Sequence, residues 1–227
     1  MPTVLITGAS RGIGLEFCRQ YLDDGWRVVA TGRDPKNSKG LTALRGDLLV
    51  QALDVGNHEA VDALAASLRR ESIDVLINNA GVYGPRSSAL RNLDYAGWGE
   101  VFRINSMAAL KVSEAFLDHV ARSGQKRIAA LTSKMGSMAD NRSGGSYVYR
   151  SSKAALNAVM KSLSVDLAPR GILVGILHPG WVRTDMGGPG ALIDADVSVA
   201  GMRKVIAGLT PETSGAFLNY DGSPIPW

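Results

Sequence analysis

The residues best suited to chemistry are Tyr149 and Lys153, in the stretch Tyr149-Arg150-Ser151-Ser152-Lys153. Four apart on a helix, they share one face. A free phenol titrates near ~10. A close ammonium favours the phenolate and is expected to lower that value, making the hydroxyl a useful proton donor or acceptor near neutral pH. Reduction of a carbonyl by hydride needs such a group, because the nascent alkoxide must be protonated. A Tyr-x-x-x-Lys spacing also arises as a plain surface pair, so its weight depends on what accompanies it. Tyr147 precedes Lys153 by six residues and does not share its face, which leaves Tyr149 as the candidate.

A second group of residues suits an anion. Thr7-Gly8-Ala9-Ser10-Arg11-Gly12-Ile13-Gly14 follows a short apolar run and precedes a helical pattern with Ile13, Phe17, Tyr21 and Leu22 on one side. Glycines here permit the turn and the close approach of backbone to a pyrophosphate, and the helix start offers unpaired N–H groups and a favourable dipole. Gly8, Ser10, Arg11, Ile13 and Gly14 are therefore the candidate phosphate contacts. The next apolar run ends Thr31-Gly32-Arg33. A site for NAD usually places a carboxylate there, on the ribose 2′-hydroxyl. Gly32 stands at that position, and Arg33 and Arg11 offer two guanidiniums suited to a 2′-phosphate. The balance favours NADP over NAD, although Asp34 is near enough in sequence to pair with Arg33.

The elements that must position these groups alternate along the whole chain. Strand patterns fall at 3–7, 27–31, 50–54, 73–77, 127–132, 172–177 and 216–219, and helical patterns at 12–24, 57–70, 95–121, 149–168 and 198–208. Such alternation predicts a Rossmann-type α/β fold: a doubly wound parallel sheet of about seven strands with helices on both faces. No repeat or polar linker divides the chain, so residues 1–227 read as one cofactor-binding domain. The Gly- and Ser-rich stretches at 32–40, 136–146 and 187–190 read as loops on the sheet's rim.

Taken in order, Gly8 to Gly14, Asn78-Asn79-Ala80-Gly81 and Tyr149 to Lys153 resemble the motifs of the short-chain dehydrogenase/reductase family. The resemblance covers essentially the whole chain and implies NADP as cofactor. It implies adenine contacts from Asp54 and Val55, and a cofactor floor at Asn78, Ala80 and Gly81. It also implies nicotinamide contacts around Pro179, Gly180, Val182 and Thr184, and ribose contacts from Tyr149 and Lys153. Two catalytic partners follow by position: Ser133, just after the fifth strand, and Asn105, which in the family helps anchor a water in the proton path. Ser133 lies farther from Tyr149 than the family's usual spacing, which Ser137 would satisfy better; Ser133 is preferred because a strand end fixes its direction. Ser133 to Ser137, Gly144 to Asp166, His178 to Gly188 and the ending Asn219 to Trp227 resemble the C-factor group, which includes Sniffer-type carbonyl reductases. That narrower likeness implies a homodimeric carbonyl reductase, and alternatively a cell–cell signalling or dinucleotide-sensing role.

The segment after Thr184 is short, which suggests an open pocket for small aldehydes, ketones or quinones, lined by Tyr83, Met135, Trp181 and Met186. Other function classes find less support. Net charge is +4, but the basic residues are scattered and aromatics make up 6% of the chain, unlike a nucleic-acid surface. No run of eighteen apolar residues suggests a membrane span, and the N-terminus does not resemble a secretion signal. Cys18, the only cysteine, reads as packing and fits a reducing, cytoplasmic setting. Three scattered histidines and one cysteine suggest no metal site. His178, at the end of the sixth strand, reads as a polar strand end rather than an acid or base.

Overall fold

The computed structural model describes residues 1–85 and 90–227. Among these, seven strands form one sheet: β1 (Thr3–Ile6), β2 (Arg27–Gly32), β3 (Leu48–Ala52), β4 (Val75–Asn78), β5 (Arg127–Leu131), β6 (Leu173–His178) and β7 (Phe217–Asn219). All pairings are parallel, in the order β3-β2-β1-β4-β5-β6-β7. The architecture is the doubly wound Rossmann-type sheet that the alternating pattern predicts. The chain winds outward from β1 to β3, crosses back and winds the other way from β4. A crevice therefore opens above the carboxyl ends of β1 and β4, the place where ligands bind in this architecture.

Strand residues alternate between two cores. Val4, Ile6, Val28, Ala30, Val75 and Ile77 face α1 (Gly12–Asp23) and α8 (Ala195–Ala207), through Phe17, Tyr21, Met202 and Ile206. Leu5, Val29, Leu76, Ile128 and Ile176 face the other way, toward α3 (His58–Ser67), α5 (Ala108–Ala115) and α7 (Tyr147–Leu167), through Val61, Val112, Leu156 and Met160. Burying side chains of this size contributes roughly 1.5–3 kcal/mol each, and it fixes the strand ends on which the site is built.

Three expectations need correction. The third strand spans Leu48–Ala52 rather than 50–54. It starts opposite Val28 and is over before Asp54, whose carboxylate accepts the Gly56 N–H at 2.9 Å and turns the chain. The pattern at 95–121 is not one helix. It divides into α4 (Tyr95–Phe102), one π turn (Arg103–Met107), α5 and α6 (Leu117–Ala121). Finally, the loop expected at 32–40 runs into a short helix, α2 (Lys39–Ala43), capped by Ser38, whose hydroxyl accepts the Leu41 N–H at 3.4 Å. No helix among the described residues is long and apolar enough to cross a membrane.

Candidate active site

A cleft of about 550 Å³ lies over the carboxyl ends of the central strands. Its floor begins with the glycine loop. Gly8 has φ +66°, and a Cβ there would stand 2.8 Å from the Ala80 Cα. A Cβ on Gly14 would stand 2.4 Å from the Gly8 carbonyl oxygen and 2.5 Å from Asn79 Nδ2. Both positions therefore exclude any side chain. Asn79 sews this loop to the end of β4, donating from Nδ2 to the carbonyls of Thr7 (2.8 Å) and Gly8 (2.9 Å). Thr7 Oγ1 accepts from the N–H groups of Asn79 and Ala80, at 3.0 and 3.1 Å. No side chain caps the start of α1, and its first turn has no acidic residue. The N–H groups of Gly12, Ile13 and Gly14 thus lead into the cleft as an anion cradle.

The cleft's far end carries the charge. A Cβ on Gly32 would lie 2.2 Å from Ser10 Oγ, so a carboxylate at that position would have to displace Ser10. Arg33 lines the cleft and is exposed. It makes no ion pair among the described residues, and Asp34, its suspected partner, instead accepts from Asn37 Nδ2 at 2.8 Å. Arg11 pairs with Asp185 at 2.9 Å, both side chains about three-quarters exposed. This contact links the glycine loop to the segment after β6 across the cleft. Asp54 and Val55 line the wall opposite, next to Glu100 and Ile104. These features fit a dinucleotide carrying an additional phosphate: the cradle admits no side chain, no carboxylate stands at Gly32, and the Arg33 guanidinium is unpaired among the described residues.

The other end holds the candidate proton-transfer groups. Tyr149 and Lys153 project from α7 and line the cleft together. Lys153 Nζ donates to the Leu131 carbonyl at 2.8 Å and stands 5.8 Å from the centroid of the Tyr149 ring. Burial pushes the Tyr149 phenol up to about 12, with a hydrogen bond from Ser133 pulling it down and Tyr83 pushing it up. Burial pushes the Lys153 ammonium down to about 8. The expected lowering of the phenol is thus absent in the protein alone. The lysine's hydrogen bond goes to the strand, and the shared pocket disfavours both charged forms.

Ser133, two residues past β5, bears on the Tyr149 phenol but is not among the residues lining the cleft. Its hydroxyl also accepts the Met135 N–H at 3.1 Å. Ser137 points elsewhere, donating to the Pro226 carbonyl at 2.6 Å. Asn105 sits on the π turn, 1% exposed. Its Oδ1 accepts the Val82 N–H at 2.8 Å, while Nδ2 donates to the Val82 carbonyl (2.8 Å) and to Ser152 Oγ (3.0 Å). Both amide protons are thereby used, and the side chain clamps the segment after β4 to α7. A Cβ on Gly81 would stand 3.3 Å from Asn105 Oδ1 and 3.6 Å from Lys153 Nζ, so the glycine keeps this corner open.

Pro179, Thr184 and Met186 line the cleft after β6. Gly180 turns there at φ +83° against Ile193 and Tyr220, and Val182 is buried. Asn78 is also buried, donating from Nδ2 to Ser113 Oγ at 3.0 Å. Of the four residues expected around a substrate, Met186 alone lines the cleft. Trp181 is half exposed and donates its indole N–H to the Gly187 carbonyl at 2.8 Å, holding the short segment in shape. Met135 follows Ser133 into a single 3₁₀ turn. Tyr83 stacks on the Tyr149 ring, with centroids 4.6 Å apart and planes at 22°. His178 is pushed down to about 4 by burial and by the charge of Lys134.

Sequence reasoning passed over Asp185, Glu100 and Ser152. Ser152 had a signal, since it immediately precedes Lys153; its hydroxyl donates to the Tyr149 carbonyl at 2.8 Å. Asp185 and Glu100 had none, because only the fold brings them to the cleft.

Fold and cleft together define a dinucleotide-binding α/β protein with a tyrosine and a lysine at one end of its crevice. The family model for short chain dehydrogenases matches residues 2–190, and the chain belongs to that family. It is 49% identical over 165 residues to C-signal of Myxococcus xanthus, a match taking in 73% of this chain and 99% of that protein. It superposes on the carbonyl reductase Sniffer of D. melanogaster with a TM-score of 0.94 and 33% identity, over 100% of both chains. The NADPH-bound carbonyl reductase from chicken fatty liver follows at a TM-score of 0.89 and 35% identity, over 100% of this chain and 99% of that one.

Proposed function

We propose that this protein is an NADP-dependent oxidoreductase that reduces small carbonyl compounds, with Tyr149, Ser133, Lys153 and Asn105 as its working residues. The observation that supports the reading is a cleft lined at one end by Tyr149 and Lys153 and at the other by Arg33, which is unpaired among the described residues. The reading rests also on the carbonyl reductases of like fold, one of them NADPH-bound.

When bound, a reduced nicotinamide supplies the hydride. The start of α1 and the Gly8–Gly14 loop would hold the pyrophosphate, Arg33 and Arg11 the 2′-phosphate, and Asp54 with Val55 the adenine. Arg11 would have to leave Asp185 to do so. Pro179 and Thr184, with Gly180 and Val182 of the same turn, would border the nicotinamide, and Ala80 and Gly81, with Asn78 at the end of β4, would lie beneath the cofactor. Ser133 donates a hydrogen bond to the substrate oxygen and holds it at the phenol. Tyr149 gives its proton to that oxygen as negative charge develops there. Lys153 in its charged form stabilises the phenolate left behind. Asn105 keeps the Val82 segment and α7 in register, so that the three groups stay convergent. Residues 1–227 act in this reading as one domain, in the cytoplasm, as a homodimer.

The test is cofactor oxidation across a panel of aldehydes, ketones and quinones, comparing NADPH with NADH and wild type with Tyr149→Phe. Turnover with NADPH and its loss by a factor of ~10²–10⁴ in the Phe variant is the expected result. Undiminished turnover in that variant would overturn the mechanism, and preferential use of NADH would overturn the cofactor assignment. The identity with C-signal favours a second reading, signalling or dinucleotide sensing without turnover. That reading gains if NADPH binds tightly and none of the panel is reduced.

A further inference from the structure

We propose that Tyr83 is a positioning residue for Tyr149, holding the phenol ring in the plane it takes at the cleft and sealing the ring's stacked face from water. The inference rests on the reading of Tyr149 as the proton-transfer group.

The two rings lie nearly parallel, 4.6 Å between centroids, within the range of favourable aromatic pairs. A stacked neighbour leaves the hydroxyl edge of a ring free while it restricts rotation of the ring plane. Tyr149 is 9% exposed; among the described residues Lys153, on its own helix, stands 5.8 Å from the ring centroid, and Ser133 bears on the phenol from beyond β5. Tyr83, from the segment after β4, covers one face of the ring.

What distinguishes Tyr83 from ordinary packing is how firmly the structure holds it. On one side Val82 exchanges two hydrogen bonds with the side chain of Asn105, both 2.8 Å. On the other, Gly84 takes φ +86° and packs so closely that a Cβ would lie 2.7 Å from Val101 Cγ2 and 3.4 Å from Val148 Cγ1. The Tyr83 hydroxyl meets Ser146 Oγ at 3.1 Å. Ser146 immediately precedes α7 in the left-handed conformation, φ +47° and ψ +39°, and its side chain makes no cap to that helix. Its hydroxyl, in a position that ordinarily serves the helix end, is turned to Tyr83 instead. Tyr83 is thus fixed at its backbone by Asn105, at its following residue by α4 and α7, and at its hydroxyl by the residue from which α7 starts. This gives Asn105 a route to Tyr149 that runs through the stacked ring.

The experiment compares wild type, Tyr83→Phe and Tyr83→Leu in the full chain, with NADPH and a carbonyl that the wild type turns over. Tyr83→Phe keeps the stacked ring and is expected to retain turnover within about threefold. Tyr83→Leu removes it, and kcat is expected to fall by roughly 10–100-fold with little change in the KM for NADPH. Water then reaches the phenol, so in alcohol oxidation the rise of rate with pH moves to lower pH. A double-mutant comparison separates this from the reading beneath it: in a Tyr149→Phe background, Tyr83→Leu is expected to change residual turnover by less than about twofold. If the leucine variant does not fold, Tyr83→Met supplies the same comparison with a more adaptable apolar chain. Wild-type kcat and pH profile in a folded Leu or Met variant would overturn the proposal. So would a rise in carbonyl KM alone, which would make Tyr83 a substrate contact. Full turnover in Tyr149→Phe itself would instead remove the reading on which it stands.

Discussion

Lys153 combines a fully enclosed amine with a hydrogen bond to the carbonyl end of β5, and burial holds it down at about 8. The unfolded chain, with the ordinary value of 10.5, takes up this proton first as pH falls. Stability therefore drops between pH 10.5 and 8, and below that the penalty is constant. Lys153→Met is expected to raise the unfolding free energy of the cofactor-free protein at pH 7 by about 1–3 kcal/mol, with the gain fading toward pH 10. Urea unfolding at the two pH values checks this, and an equal effect at both would contradict it. Arg33 gives a second prediction at this scale. With its guanidinium unpaired, Arg33→Ala is expected to weaken NADPH binding by roughly 10–100-fold, as befits loss of hydrogen bonds to a charged group, and to leave NADH binding nearly unchanged; titration calorimetry with each nucleotide decides. The pairing of Tyr149 with Lys153 was legible because a spacing of four is a statement about one helix. The direction of the phenol's shift was not, because it depends on burial and on a strand carbonyl that sequence does not place.

At the scale of elements, the glycine loop works by exclusion. Gly14→Ala would put a methyl group against the Gly8 carbonyl and Asn79 Nδ2. Overpacking of this kind costs about 1–3 kcal/mol, so thermal unfolding is expected to fall by about 2–10 °C and nucleotide binding to be lost with the cradle's shape. Retention of full affinity by a folded variant would contradict that assignment. The ends of β1 and β2 were legible from apolar runs closed by Gly8 and Gly32, whereas that of β3 was not, because its register is set by pairing with β2. The division of 95–121 was not. One continuous apolar periodicity runs through Arg103–Met107, yet there the backbone inserts a π turn, the kind of bulge often found at functional sites. It delivers Asn105 and Ser106 to the interior, where Asn105 meets Val82 and Ser152, and Ser106 Oγ donates to the Ser152 carbonyl at 2.7 Å. Arg103, on the same turn, donates to the Gly56 carbonyl and braces the Asp54–Gly56 bend. Asparagine's identity gave a candidate, and the turn gave it partners.

For the molecule as a whole, the exposed apolar side chains Met107 and Leu110, near the join of the π turn and α5, and Val165 on α7 offer the homodimer of the proposed function a seam. Light scattering is expected to give twice the chain mass at micromolar concentration, and Leu110→Glu to shift it toward the chain mass; a wild-type value of one chain mass at every concentration would refute the dimer. Strand and helix alternation made the layered fold legible across the chain. It did not reveal which distant segments share the cleft, because that follows from the crossover. The order of the strands has a kinetic consequence. Val4 sits opposite both Val28 and Val75, and the glycine loop is sewn to Asn79, about seventy positions later. The cradle's anchor is thus made about seventy residues after the loop it holds, and a nascent chain is expected to grip nucleotide only once β4 has emerged. Contacts so far apart in sequence form slowly, so bound NADPH is expected to retard unfolding while leaving the rate of refolding almost untouched.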